Sequence, residues 1–171
     1  MISQHLNERF VNLFLYNPII DEEEGVATFL LYNLSGQICG YQQYRPSAGK
    51  EKKNHPREGR YFTYRTSGKV AVFGLEVFNR NGPLFVTEGI FDCVRIHNLG
   101  FAAIATLSND PKHISSWLNT LGRKTVAVCD PGASGDRIKK YTNYYIKPNI
   151  NKDLGDMTNK EVEEVLKDYL K

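Results

Sequence analysis

Leu84-Phe85-Val86-Thr87-Glu88-Gly89-Ile90-Phe91-Asp92 is the stretch on which the reading of this chain turns. Four β-prone residues run into an acid and a glycine, and from Ile90 the apolar spacing becomes helical up to Asn98, with Gly100 as the stop. The same alternation continues downstream. Ala102 to Leu107 reads as a strand, and Pro111 to Leu121 as a helix with Asp110 as N-cap and Pro111 in its first position. Lys124 to Cys129 is the next strand, Gly135 to Lys140 begins a helix, Tyr144 to Ile146 is short and extended, and Thr158 to Leu170 is an amphipathic helix. Strands alternating with helices predict a parallel sheet flanked by helices.

Upstream the pattern is different. Val26 to Tyr32 and Gly36 to Tyr44 are β-prone runs joined by Asn33-Leu34-Ser35, and Arg60 to Tyr64 and Lys69 to Phe73 resume the strand pattern across Thr66-Ser67-Gly68. Ser47 to Gly59 is polar and Lys-rich and reads as a mobile loop. The first twenty residues, with Phe10, Leu13, Phe14, Leu15 and Tyr16, suit a helix that docks on the core or on a partner, with core packing favoured. The fold class expected is α/β, a central parallel sheet over 83–171 preceded by a smaller basic β-rich subdomain over 1–82.

Three acidic clusters fall at or after strand ends. Glu88 closes one strand and Asp92 follows one helical turn later; Val126-Ala127-Val128-Cys129 delivers Asp130 to the turn Pro131-Gly132-Ala133-Ser134-Gly135; Asn151-Lys152-Asp153-Leu154-Gly155-Asp156 forms an acidic loop. In open α/β sheets the ligand site lies beyond the carboxyl ends of the strands. Carboxylates gathered there repel one another unless a cation sits among them, and Mg²⁺ prefers oxygen ligands, phosphate and water. The chemistry this implies is metal-assisted phosphoryl transfer. Gly89 would let a phosphate approach the helix N-terminus. Taken singly, each acid is an ordinary cap or turn former.

Composition narrows the classes further. At 171 residues the chain suits one domain, or one domain with a small appendage. No apolar run is long enough to span a membrane and the N-terminus lacks a signal-peptide pattern, so a soluble, cytoplasmic protein is expected. Cys39, Cys93 and Cys129 are odd in number and scattered among apolar residues, and they read as small buried hydrophobes; they also exclude a Cys-x-x-Cys zinc ribbon. The four histidines have no metal-ligand spacing, so a catalytic metal must be held by oxygen. Net charge is only +3, yet Arg45, Lys50, Lys52, Lys53, Arg57, Arg60 and Arg65 crowd one segment with Tyr44, Tyr61, Phe62 and Tyr64 among them. That segment is either a solvated loop and hairpin or a nucleic-acid contact.

A strand ending in Glu-Gly with an Asp shortly after, an Asp at a later strand end before a Gly turn, and a Lys-Asp-x-x-Asp loop together resemble the TOPRIM domain of primases, topoisomerases, nucleases and recombination mediators. The resemblance covers about Leu84 to Met157. Ahead of it, Gly36-Gln37-Ile38-Cys39-Gly40-Tyr41, Arg45, Arg60-Tyr61-Phe62-Thr63 and Val72-Phe73-Gly74-Leu75-Glu76 resemble the basic subdomain that precedes TOPRIM in DnaG-type primases of bacteria and phages. This resemblance implies a DNA primase that uses Mg²⁺ or Mn²⁺ and ribonucleoside triphosphates to make short RNA primers on a single-stranded DNA template. Glu88 would bind metal or act as general base, Asp130, Asp153 and Asp156 would complete the metal site, and Asp92, Gly89 and Gly132 would support it. Arg45, Lys50, Lys52, Lys53, Arg57, Arg60, Arg65 and Lys152 would contact nucleic acid or nucleotide.

The chain departs from the pattern at Gly132, which stands where the second acid of Asp-x-Asp is expected; Asp136 comes too late to replace it. A TOPRIM nuclease and a non-catalytic nucleic-acid-binding or recombination-mediator module therefore stay open beside the primase. The primase zinc-binding module and helicase-binding bundle are missing from the sequence, and Thr158 to Leu170 is too short for the latter. The expectation is an excised core or a minimal phage version that works with a replicative helicase or a zinc-binding partner, and the Met1 start favours a whole small protein.

Overall fold

The computed structural model describes residues 1–49, 55–66, 70–108, 110–132, 135–148 and 152–169. The chain divides into two compact units, Met1–Phe73 and Gly74–Lys171. The division falls before the 82/83 boundary expected from sequence, because residues 74–82 are tied to the second unit. Arg123 donates to the carbonyls of Phe78, Arg80 and Gly82, and Arg80 donates to those of His97 and Phe101.

The first unit opens with α1 (Ile2–Glu8) and α2 (Leu13–Tyr16), followed by β1 (Ile19–Asp21), β2 (Val26–Tyr32), β3 (Ile38–Tyr44) and β4 (Tyr61–Arg65). The strands form one antiparallel sheet in chain order. Two short helices replace the single N-terminal helix expected, since Phe10 adopts a left-handed φ of 62° and ends the first. The second is capped by Asn12, whose side chain accepts from Leu15 N at 3.0 Å. Leu6, Val11 and Tyr16 are buried whereas Phe14 is fully exposed, so only part of the apolar set packs. Phe73 meets Tyr16 at 4.9 Å and Phe29 edge-on at 5.8 Å between ring centres. Each such buried ring contributes about 1.5–3 kcal/mol. The last expected strand, Lys69 to Phe73, is reduced to bridge residues at Val72 and Phe73, with Val72 bridging Tyr32; Ser67, Gly68 and Lys69 lie outside the described residues.

In the second unit β5 (Leu84–Thr87), β6 (Ala102–Ala105), β7 (Thr125–Val128) and β8 (Tyr144–Ile146) form an all-parallel sheet ordered β6-β5-β7-β8. It is flanked by helices α3 (Ile90–Asn98), α4 (Ser115–Thr120) and α5 (Asn159–Leu166), as the alternating pattern predicted. β5, β6 and β7 are buried along their whole length, which is why they read as unbroken apolar runs. Asp110 does not cap the helix after Pro111, contrary to the sequence reading. That segment starts as a 3₁₀ turn, Lys112–Ile114, and Asp110 instead accepts a bond from the Tyr141 hydroxyl. Gly135–Tyr141 is likewise a 3₁₀ turn. The C-terminal helix starts at Asn159, where Thr158 and Glu161 form a reciprocal capping box. The three cysteines are free and buried. No helix among the described residues is long and apolar enough to cross a membrane.

Candidate active site

The chain leaves β5 toward β6 on one side and leaves β7 toward β8 on the other. The crevice beyond the carboxyl ends of these two neighbours is the topological switch point of the sheet. β5 and β7 run in register, Val86 opposite Ala127, so Glu88 and Asp130 emerge from adjacent strand tips. Their carboxyl groups come close enough to influence each other's protonation. The backbone of Glu88 is fixed as well: its carbonyl accepts from Leu107 N at 2.9 Å, and Thr106 N bonds to Thr87 O at 3.0 Å.

The electrostatics follow from this convergence. Asp130 is pushed up to about 8, first by burial and then by the negative charges of Asp92, Glu88 and Asp153. Burial and Asp153 also raise Glu88, while its interaction with the Asp130 carboxyl opposes the rise. A carboxyl kept protonated by neighbouring acids is the condition that a bound cation reverses. Among the described residues no three His, Cys, Asp or Glu side chains stand as a ready-made ligand group. The donor set nevertheless fits a hard cation, because it is all oxygen and mutually repulsive.

Asp92 is buried in the first turn of α3. Its Oδ1 accepts from Gly155 N at 2.7 Å, which ties the third acidic segment to α3. The turn Leu154–Asp156 is closed by Asp156 N bonding to Asp153 O at 3.0 Å, leaving both acids exposed. Gly89 is the N-cap residue of α3, and its carbonyl accepts from Thr87 Oγ1 at 3.0 Å and Cys93 N at 3.2 Å. Lys152 pairs with Glu161 at 3.0 Å, so its ammonium is engaged at the start of α5.

Gly132 has φ +96°, with nothing within 4 Å of where a Cβ would lie. The residue that replaces the second acid thus also makes a left-handed turn, which glycine adopts without strain. Asp136 pairs with Lys147 at 2.8 Å and Lys139 at 3.8 Å, and these partners hold its carboxyl below the usual range.

In the first unit Arg45 Nη1 donates to Arg57 O at 2.6 Å and Arg60 Nε to Ala48 O at 2.9 Å. Each arginine therefore spends one donor on its own loop. Arg57 lies 5.6 Å from the Phe62 ring centre and Arg65 is exposed on β4. Lys50, Lys52 and Lys53 lie outside the described residues.

Two features at the site escaped the sequence reading. Leu107 adopts a left-handed φ of 54° where it holds Glu88, and no residue type announces this. A Cβ on Gly135 would come within 2.3 Å of Asp130 O, so the turn closes against the backbone of Asp130; the small-residue run after Asp130 carried that signal.

No protein-family model and no curated protein matches the sequence. Solved structures do match. A DnaG catalytic core is 16% identical over 91% of this chain and 58% of its own length, with a TM-score of 0.63. The primase fragment of the bacteriophage T7 primase-helicase protein is 12% identical over 93% of this chain and 69% of its own, with a TM-score of 0.64. A DnaG primase catalytic domain bound to single-stranded DNA is 15% identical over 96% and 61%, with a TM-score of 0.62. The chain spans less than two thirds of the first of these. At these identities the likeness concerns the fold: the chain resembles the catalytic cores of DnaG-type, TOPRIM-containing primases and shares their α/β architecture.

Proposed function

We propose that this chain is a nucleotidyltransferase of primase type, which makes short RNA primers from ribonucleoside triphosphates on single-stranded DNA during bacterial or phage replication. The observation that carries the reading is the convergence of Glu88 and Asp130 at the switch point, with Asp130 pushed up to about 8 by burial and then by the surrounding acids. Glu88, Asp130 and Asp153 would hold Mg²⁺ or Mn²⁺, with Asp156 adding negative charge nearby. The metal would neutralise phosphate charge and polarise the phosphoryl group under attack. Glu88 is the candidate to accept the proton of a primer 3′-hydroxyl; Asp92 positions the acidic turn through Gly155. Arg45, Arg57, Arg60 and Arg65 are the candidate template contacts. A replicative helicase and a zinc-binding module are the proposed protein partners, and the cytoplasm of a bacterium or phage-infected cell the proposed setting.

The missing second acid at Gly132 favours one other reading, a non-catalytic nucleic-acid-binding module. Incubation with single-stranded DNA, labelled ribonucleotides and Mg²⁺ or Mn²⁺ separates the possibilities. Template-dependent oligoribonucleotides support the primase. DNA cleavage without nucleotides points to a nuclease, and binding with no product under either metal points to the module.

A further inference from the structure

The antiparallel sheet of the first unit packs one face on its core and turns the other to solvent. Gln42 and Tyr44 of β3 point to the buried side, whereas Tyr41 and Gln43 point outward. An outward face of this kind ordinarily carries polar side chains. Here it is aromatic where β3 meets β4. Tyr41 lies opposite Tyr64 in register, with rings stacked at 5.5 Å and 28°. Phe62 sits diagonally from Tyr41 at 6.1 Å, and the Arg57 guanidinium lies 5.6 Å from the Phe62 ring centre. Tyr64 is 52% exposed, and Tyr41 and Phe62 are half-buried. Arg45, just past the end of β3, is bonded to the Arg57 carbonyl, so two guanidiniums share one end of the cluster; Glu58 is the acid beside them.

We infer that this face binds single-stranded nucleic acid, with bases stacking on Tyr64 and Phe62 and phosphates drawn to Arg57 and Arg45. Every base offers a π-face, so a row of rings next to fixed positive charge holds a strand without reading its sequence. Duplex DNA keeps its bases stacked on each other and cannot use the rings. An anionic polymer suits the charge here better than an apolar protein surface, which would leave both guanidiniums desolvated without carboxylates. The inference deepens the proposed function by stating how a template would be held, and rests on that reading only for the choice of DNA as the strand.

The test is fluorescence anisotropy in EDTA without nucleotides, so a failure of catalysis leaves the result untouched. The probes are an oligothymidylate of about twelve nucleotides, an abasic strand of equal length, and a duplex. Wild type binds the oligothymidylate about tenfold more tightly than the abasic strand. Tyr64→Leu and Phe62→Leu each remove most of that difference, whereas Tyr64→Phe retains it. Equal affinity of wild type for the first two probes overturns the inference and needs no variant. It is equally overturned if Tyr64→Leu leaves strand binding intact while abolishing a concentration-dependent self-association, since the face would then dock a second copy of this chain.

Discussion

Asp92 and Gly155 are joined by a 2.7 Å hydrogen bond from a backbone N–H to a buried carboxylate, linking the first turn of α3 to the acidic turn near the C-terminal helix. Asp92 also adds to the negative field on Asp130. The two roles separate on substitution. Asp92→Asn keeps an acceptor and removes the charge, so stability should hold while the Asp130 carboxyl titrates lower by NMR. Asp92→Ala strands the Gly155 N–H and should cost about 1–3 kcal/mol in urea unfolding.

Divalent metal should stabilise the second unit by mass action. Millimolar Mg²⁺ is expected to raise the melting temperature relative to EDTA, and Glu88→Gln or Asp130→Asn to remove most of the increment. Equal melting temperatures in both buffers would count against the metal site. Asp130→Ala and Asp153→Ala should abolish primer formation yet leave strand binding nearly intact, because the candidate binding residues lie in the first unit.

Gly132→Asp restores the missing acid at a left-handed turn with φ +96°. Space is open around the new side chain, so the cost is backbone strain of about 1–2 kcal/mol rather than a clash. Circular dichroism should show a native fold with a lower melting temperature, and added Mg²⁺ should recover more stability than in wild type. Loss of the native spectrum would show that the turn tolerates glycine alone.

His97 supplies a pH dependence. Its Nε2–H donates to Ala103 O at 2.9 Å, and burial lowers its pKa from 6.5 to about 4. The neutral ring is favoured in the folded state, so its contribution is full above the unfolded value and is lost as pH falls through the folded one. Urea unfolding should show wild type weakening between pH 6.5 and 4 more steeply than His97→Gln, which can still donate to Ala103 O. Parallel pH profiles would rule this out.

Arg60 and Arg65 should differ in kind. Arg60 braces Ala48 O, whereas Arg65 is exposed on β4. Arg65→Ala should reduce the salt slope of single-strand binding by roughly one ion with unchanged stability. Arg60→Ala should reduce both. Binding that is flat across moderate salt would mark the positive segment as mere solvated surface.

The parallel sheet was legible because its strands are buried on both faces and alternate with helical spacing; β5, α3 and β8 follow from local pattern alone. Glu88, Asp130 and the Asp153 turn stood out through their combined order and spacing along the chain, since each acid alone is an ordinary cap or turn former. What no local pattern contains is proximity. Asp92 reaching Gly155 and left-handed Leu107 bonding to Glu88 depend on segments far apart in sequence, and Arg45 and Arg60 bonding into their own loop depends on how that loop closes. The cross-strand register of Tyr41 with Tyr64 is of the same kind, since pairing shifted by one residue would turn both rings to the other face. Sequence dictated the strands of the parallel sheet and which acids follow them; tertiary packing decided which charges share a crevice, because hydrogen bonds need contact distances, Coulomb interactions weaken with separation, and only the folded chain sets those distances.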